Sequence, residues 1–209
     1  MHSKQYWVAF ASIEKIGSAF IKKVYDYCEH DIECAWLLGD LELKHISGLP
    51  RKSVEAFLEL RSKVKPDEKL EELYSKNTDV LTYEDKNYPK LLRQIPNPPM
   101  TLFFKGNLEV CNFERAFAVV GSRSISNYAK DNIKRIFSNF KNCDLTIVSG
   151  GAAGADTVAH EVALENNLPT IAVLGSGFDK IYPAKNKKLF EKIMGQRIFG
   201  SADFPGGWG

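Results

Sequence analysis

The chain has 209 residues, 44% of them hydrophobic and 26% charged, with a formal net charge of +2. That length holds one large domain or two small ones, and the balance is that of a soluble protein, which excludes a disordered chain. No apolar run approaches the roughly 20 residues that cross a bilayer, and the small charge excludes a global field for nucleic acid, so any basic surface is local.

The start, Met1 to Phe10, is too short and too weakly basic for a secretory signal. Cys28, Cys34, Cys111 and Cys143 form no C-x-x-C pair and have no histidine at ligand spacing. Reduced, buried thiols in a cytosolic protein are therefore expected, with no metal and no cofactor.

The first sixty-odd residues read as helical. Between Ser12 and Val24, the residues Ile13, Ile16, Phe20, Ile21 and Val24 keep a helical spacing that Gly17 interrupts. A similar phrase returns between Leu43 and Phe57, with Ile46-Ser-Gly48 ahead of a second amphipathic run. Each resembles the helix–hairpin–helix phrase, in which a glycine turn offers backbone amides to a DNA phosphate. Lys15, Lys22, Lys23, Arg51 and Lys52 would make the contacts. A small helical bundle that touches no DNA is the alternative.

Lys63-Val-Lys-Pro-Asp-Glu-Lys69 is charged and carries a proline, so a boundary is expected there, with a helical domain over 1–65 and a second domain over 66–209. A helix over 69–76, a strand at Val80–Tyr83 and a strand at Thr101–Lys105 follow. Between the strands, the connector over 84–100 ends in Ile95-Pro-Asn-Pro-Pro-Met100, which its prolines hold extended.

From Ala116 onward the pattern is regular. Phe117–Val120 runs into Gly121-Ser-Arg123, Leu145–Val148 into Ser149-Gly-Gly151, and Pro169–Leu174 into Gly175-Ser-Gly177. Short apolar runs ending in glycine and followed by a helix are parallel strands of βαβ units, buried on both faces. Helices are expected over Tyr128–Phe140, with Ala129, Ile133, Ile136, Phe137 and Phe140 inward, and over Thr157–Asn166. The strand C-termini and helix N-termini then form one crevice suited to phosphate.

Within that crevice Arg123 is a phosphate clamp or a salt bridge closing its turn. Ser122 belongs to the same turn. Ser149, Gly150, Gly151 and Gly154 offer backbone donors or serve tight strand–helix packing. Asp156 reads as a helix cap, and His160, four residues on, as its hydrogen-bond partner stiffening the loop. Lys180, Tyr182, Lys185, Asn186, Lys187 and Lys188 combine cations with an aromatic, which suits single-stranded nucleic acid, or equally a solvated helix start. No nucleophile–base–orienter set is present, so no catalytic residue is assigned.

Gly121-Ser-Arg123, Ser149-Gly-Gly-Ala-Ala-Gly-Ala-Asp-Thr-Val-Ala-His160 and Ala172-Val-Leu-Gly-Ser-Gly-Phe-Asp-Lys-Ile-Tyr-Pro-Ala-Lys-Asn186 resemble the DprA/Smf family of DNA-processing proteins. So do Asp85–Leu92 and the Pro-Pro-Met-Thr-Leu-Phe-Phe-Lys-Gly106 phrase, and the likeness runs from about residue 10 to about residue 193. The resemblance implies a bacterial cytosolic protein without enzymatic activity, which binds single-stranded DNA and loads the RecA recombinase during natural transformation. It also implies a homodimer. Ala155 replaces the family's usual isoleucine. After Ile193 the chain departs from the family pattern and stops before its Phe-Pro-x-Arg-Asn-Arg segment, so dimer contacts and part of the DNA groove are expected to be missing.

The fold expected is thus α/β, a Rossmann-like parallel-sheet domain incomplete at its C-terminal end, preceded by a small all-α helix–hairpin–helix or SAM-like domain. The function expected is single-stranded DNA binding, with duplex DNA as a further partner of the helical domain. Two alternatives stand. Pro205-Gly-Gly-Trp-Gly209 looks like the start of the loop of LOG-type nucleotide phosphoribohydrolases, and a nucleotide-sensing domain would share the same crevice.

Overall fold

Glycines and prolines set the limits of the N-terminal helices. The computed structural model describes residues 3–201 except Asn112, Asn142, Ser176, residues 179–181 and Gln196, and for Val110 and Arg197–Ser201 it describes the backbone alone. The chain divides into two compact units, residues 3–88 with 92–103, and residues 89–91 with 104–201.

The first unit contains α1 (Lys4–Ala11), α2 (Ser18–Tyr27), α3 (Ile32–Leu37), α4 (Asp40–His45), α5 (Arg51–Arg61) and α6 (Pro66–Ser75). The interruption expected at Gly17 is a helix boundary: α1 ends before Ser12, and α2 starts after Gly17, its N-cap. Gly48 turns the chain with φ of 72°, in the left-handed region glycine favours, and Pro50 then caps α5. The core is aromatic. Phe10 stacks on Phe57 with ring centroids 5.2 Å apart, and Trp36 meets both rings edge-on.

The boundary expected near residue 65 falls inside this unit. Leu73 of α6 is buried, Lys4 Nζ donates to the Val80 carbonyl (3.0 Å), and Thr101 Oγ1 donates to the Trp7 carbonyl (3.4 Å). Those contacts tie α6 and the neighbouring strands β1 (Asp79–Thr82) and β2 (Thr101–Gly106) to the first helix. The connector is not extended throughout. It holds one helical turn, α7 (Lys90–Arg93), and Arg93 lies over the rings of Tyr83 (4.9 Å) and Tyr88 (5.3 Å).

In the second unit β3 (Ala116–Ala118), α8 (Asn127–Ser138), β4 (Thr146–Ser149), α9 (Ala155–Glu165), β5 (Thr170–Leu174), α10 (Lys187–Met194) and β6 (Arg197–Ser201) alternate, with 3-10 turns at Leu108–Val110 and Ala184–Asn186. The four strands are parallel in the order β6-β5-β4-β3, pairing Phe117 with Ile147, Ser149 with Ala172, and Leu174 with Gly200. Strand order that advances one place per crossover, with right-handed connections, places α8, α9 and α10 on one face of the sheet. Ile147 accordingly packs with Phe137 and Val158, and Ala172 and Leu174 with Phe190 and Ile193.

Burial on both strand faces holds for most of β4 and β5 and fails at the edge. All three residues of β3 are exposed, because no described strand pairs with its outer side. Ile136 of α8 is 46% exposed rather than inward; Phe137, Ile133 and Phe140 supply the apolar face instead.

Candidate nucleic-acid interface

Parallel register brings the C-terminal ends of β3, β4 and β5 to one edge of the sheet, and the three glycine-containing loops follow from those ends. The middle loop is built from inside. Gly154 has φ of 87°, and a Cβ there would stand 2.6 Å from the carbonyl carbon and oxygen of Arg123. Only glycine lets the N-terminus of α9 approach the Gly121–Arg123 turn this closely. The contact is completed by the Ala155 N–H, which donates to the Ser122 carbonyl (3.0 Å). Gly151, with φ of 71°, lies against the Phe190 ring of α10.

Three polar side chains hold the loop. Asp156 lies in the first turn of α9, where Gly154 and not Asp156 is the N-cap, and its Oδ2 accepts from the Ala152 N–H (3.1 Å). Thr157 Oγ1 donates to the Ala152 carbonyl (2.8 Å). Asn186 is buried, and its amide nitrogen donates to the Gly151 carbonyl (3.1 Å) and to Thr157 Oγ1 (2.8 Å). Asn186 is therefore a loop-positioning residue, and not the exposed anion contact its basic surroundings suggest.

His160 does not bond Asp156. Its Nδ1 lies 2.7 Å from Thr170 Oγ1, and that hydroxyl donates its one proton to the Ile147 carbonyl (3.1 Å). Nδ1 must then carry the hydrogen, leaving Nε2 a bare acceptor that finds no partner among the described residues. Burial lowers the imidazole pKa to about 4, against a smaller opposing pull from the Asp156 charge.

Ser149 is also turned inward, its Oγ donating to the Val119 carbonyl (2.7 Å) across to the end of β3. Ser122 Oγ closes its own turn, accepting from the Ser124 N–H (3.1 Å) and donating to the Ser124 carbonyl (2.8 Å). Of the remaining groups the side chains of Arg123 and of the lysines are exposed, as is Gly150, whereas Gly154 is half-buried and Gly151 is buried. Arg123 meets no carboxylate among the described residues. Lys185, Lys187 and Lys188 are exposed and likewise unpaired among the described residues, and Tyr182 is 71% exposed. The backbone N–H groups of Gly150, Gly151 and Gly154 also have no partner among the described residues. Gly175 is exposed and Gly177 half-buried on the third loop. Lys180 and the Pro205–Gly209 phrase lie outside the described residues.

Two residues at this edge had no signal in the glycine pattern. Tyr128, in the first turn of α8, is 80% exposed. Lys105 at the end of β2 places its ammonium 5.4 Å from the Phe178 ring centre, beside the third loop. An exposed aromatic within an amphipathic helix was the only available cue to the first; nothing local marks the second. Among the described residues no group of three or more His, Cys, Asp or Glu side chains could hold a metal, and no helix is long and apolar enough to cross a membrane.

A parallel sheet alternating with helices, its strand ends running into glycine loops, defines a Rossmann-like α/β protein. The family model of DNA recombination-mediator protein A matches residues 79–206. Protein Smf of Synechocystis sp. is 34% identical over 92% of this chain, which spans 49% of that relative's length. The crystal structure of DNA processing protein A (DprA) from Streptococcus pneumoniae is similar with a TM-score of 0.79 and 31% identity, over 96% of this chain and 68% of that one. DNA processing protein A from Helicobacter pylori, described for its single-stranded DNA binding mode, matches with a TM-score of 0.52 and 28% identity, over 59% of this chain and 55% of that one. The chain belongs to the DprA/Smf family.

Proposed function

We propose that this chain binds single-stranded DNA along its phosphate backbone at the strand-end crevice, and that in the cell it protects incoming DNA and loads the RecA recombinase during natural transformation. The observation that carries the binding is the separation of roles at the crevice. Asp156, Thr157, Asn186 and Ser149 are committed to shaping the loops, while Arg123, Lys185, Lys187, Lys188 and the exposed Gly150 amide have no partner among the described residues. Donors of that kind recognise phosphate and not base edges, so binding is largely independent of sequence. Tyr182 supplies a stacking face. The binding mode described for the Helicobacter pylori relative supports the same ligand.

The test is fluorescence anisotropy of a labelled single-stranded oligonucleotide at two salt concentrations. Four cations on phosphates give a slope of log affinity against log salt of about −3, from roughly −0.7 per contact on single strands. Arg123→Ala should lose about 1.5–3 kcal/mol of affinity, as a hydrogen bond to a charged group does, while its unfolding midpoint stays unchanged. Salt-independent binding, or an unaltered Arg123→Ala, would overturn the assignment. Recombinase loading is tested separately, by whether the chain speeds nucleation of RecA on DNA coated with single-strand binding protein.

A further inference from the structure

The four thiols differ from the expectation of uniformly buried cysteines: Cys28 is buried, Cys111 is half-buried, and Cys34 and Cys143 are exposed. In the helical unit, Cys34 Sγ lies 2.7 Å from Cys28 Sγ. A disulfide needs sulfur atoms roughly 2.05 Å apart, so less than about 1 Å of movement separates this pair from a bond. The intervening turn fixes the approach. Cys28 caps the end of α2 and Cys34 lies in the first turn of α3. Glu29 and His30 both take positive φ (52° and 71°). The His30 N–H donates to the Tyr25 carbonyl, the Asp31 N–H to the Cys28 carbonyl, and the Cys34 N–H to Asp31 Oδ1, each at 3.0 Å.

We propose that Cys28 and Cys34 are a peroxide-oxidisable dithiol, with Cys34 the attacking sulfur and Cys28 the resolving one. The exposed Cys34 thiolate attacks hydrogen peroxide: an S–O bond forms, the O–O bond breaks, and the departing hydroxide takes a proton to become water. Cys28 sulfur then attacks the Cys34 sulfenic sulfur. The S–S bond forms, the S–O bond breaks, and the oxygen leaves as a second water carrying the Cys28 proton. Two electrons pass from the thiols to the peroxide. The division of roles follows exposure, since only Cys34 of the two is open to a soluble oxidant. Burial, with a smaller contribution from the contact with Cys34, pushes the Cys28 pKa up to about 12, so Cys28 waits as a thiol until the sulfenic acid forms beside it. A thiol reductant reverses the bond, which suits a transient redox device.

Both cysteines fall on the single tryptic peptide Val24–Lys44. The whole protein is treated with hydrogen peroxide, alkylated under denaturing conditions and digested. The expected product is that peptide unalkylated and lighter by two hydrogen atoms than its reduced form, restored by dithiothreitol, and cut at Glu29 or Glu33 into fragments that separate only on reduction. In Cys28→Ser the oxidation should halt at a Cys34 sulfenic acid that a 1,3-diketone traps; in Cys34→Ser, Cys28 should remain alkylatable. Conversion of wild-type Cys34 to sulfinic acid while Cys28 stays alkylatable would overturn the proposal. So would oxidation confined to Cys111 and Cys143, or equal peroxide reactivity of Cys28 in Cys34→Ser.

Discussion

The Gly48 turn and the Gly154 loop start from the same ingredients, a left-handed glycine ahead of a helix with cations near by, and they come out opposite. In the helical unit three of the five cations near the glycine turns are used locally, and Lys15 and Lys52 are exposed with no ion pair among the described residues. Lys23 Nζ donates to the Gly48 carbonyl (2.7 Å), Lys22 pairs with Asp26 (2.6 Å), and Arg51 pairs with Glu55 (2.8 Å). In the strand-end crevice the local hydrogen bonds are made by neutral side chains and by Asp156, and Arg123 and the lysines of 185–188 have no ion pair among the described residues. A motif of glycine and cations does not by itself make an anion site. What distinguishes the two places is whether a carboxylate or a carbonyl of the same turn reaches the cation first.

The largest test of this contrast is alanine at the two glycines. At Gly154 the added Cβ meets backbone, the Ser122 carbonyl and Arg123, in a conformation L residues rarely adopt. Strain of about 1–3 kcal/mol plus a backbone shift should cost Gly154→Ala at least about 3 kcal/mol in denaturant unfolding, together with DNA binding. At Gly48 the Cβ meets only the flexible end of Lys23. Gly48→Ala should lose about 1–2 kcal/mol, the cost of one left-handed residue. Equal losses would mean that the Gly154 approach is not the feature that fixes the crevice.

Acid should separate the two units next. His160 has a folded pKa of about 4 against about 6.5 for an unfolded imidazole, so the unfolded state binds the proton first as pH falls. The neutral form's contribution is complete above pH 6.5 and is lost as pH falls from there towards 4, by about 2 kcal/mol at pH 5. Hydrogen exchange should report that loss in α9 and leave α1 protected, because the titrating group is packed between α9 and β5. Uniform loosening of both helices, or none in α9, would refute it.

Much of this architecture is legible in the chain, and the exceptions have physical reasons. Apolar runs ending in glycine mark parallel strands here, doubly buried for most of β4 and β5 but exposed at the edge strand β3, and glycine permits the close turn. That reasoning locates all three crevice loops. It does not locate α1, whose Trp7–Phe10 run is buried and has no polar face to give a period. Nor does it divide Asn186 and Ser149 from Arg123: a polar residue in a basic loop looks alike whether its donors point in or out, and tertiary burial alone decides. The unit boundary was hidden because charge and proline at 63–69 mark the start of α6, a helix that stays with the first unit.

Asn186→Ala removes the donors to Gly151 and Thr157 and leaves the first carbonyl buried without a partner, at about 1–3 kcal/mol of stability. Its DNA affinity should fall as well, although the amide touches no ligand, because the loop it holds is the one that presents the amides. Affinity rescue by osmolyte or lower temperature, with Arg123→Ala not rescued, distinguishes positioning from contact.

The smallest effects belong to the Gly48 side. Lys22→Ala and Arg51→Ala break exposed i,i+4 ion pairs, which contribute about 0.3–0.5 kcal/mol each. Neither variant should shift the single-stranded DNA titration by more than twofold, since neither cation was free to meet a phosphate. A tenfold loss in either would mean that these pairs open to bind DNA. Local pairing would then no longer separate the two glycine turns, and the helical unit would have to be counted as a second binding surface.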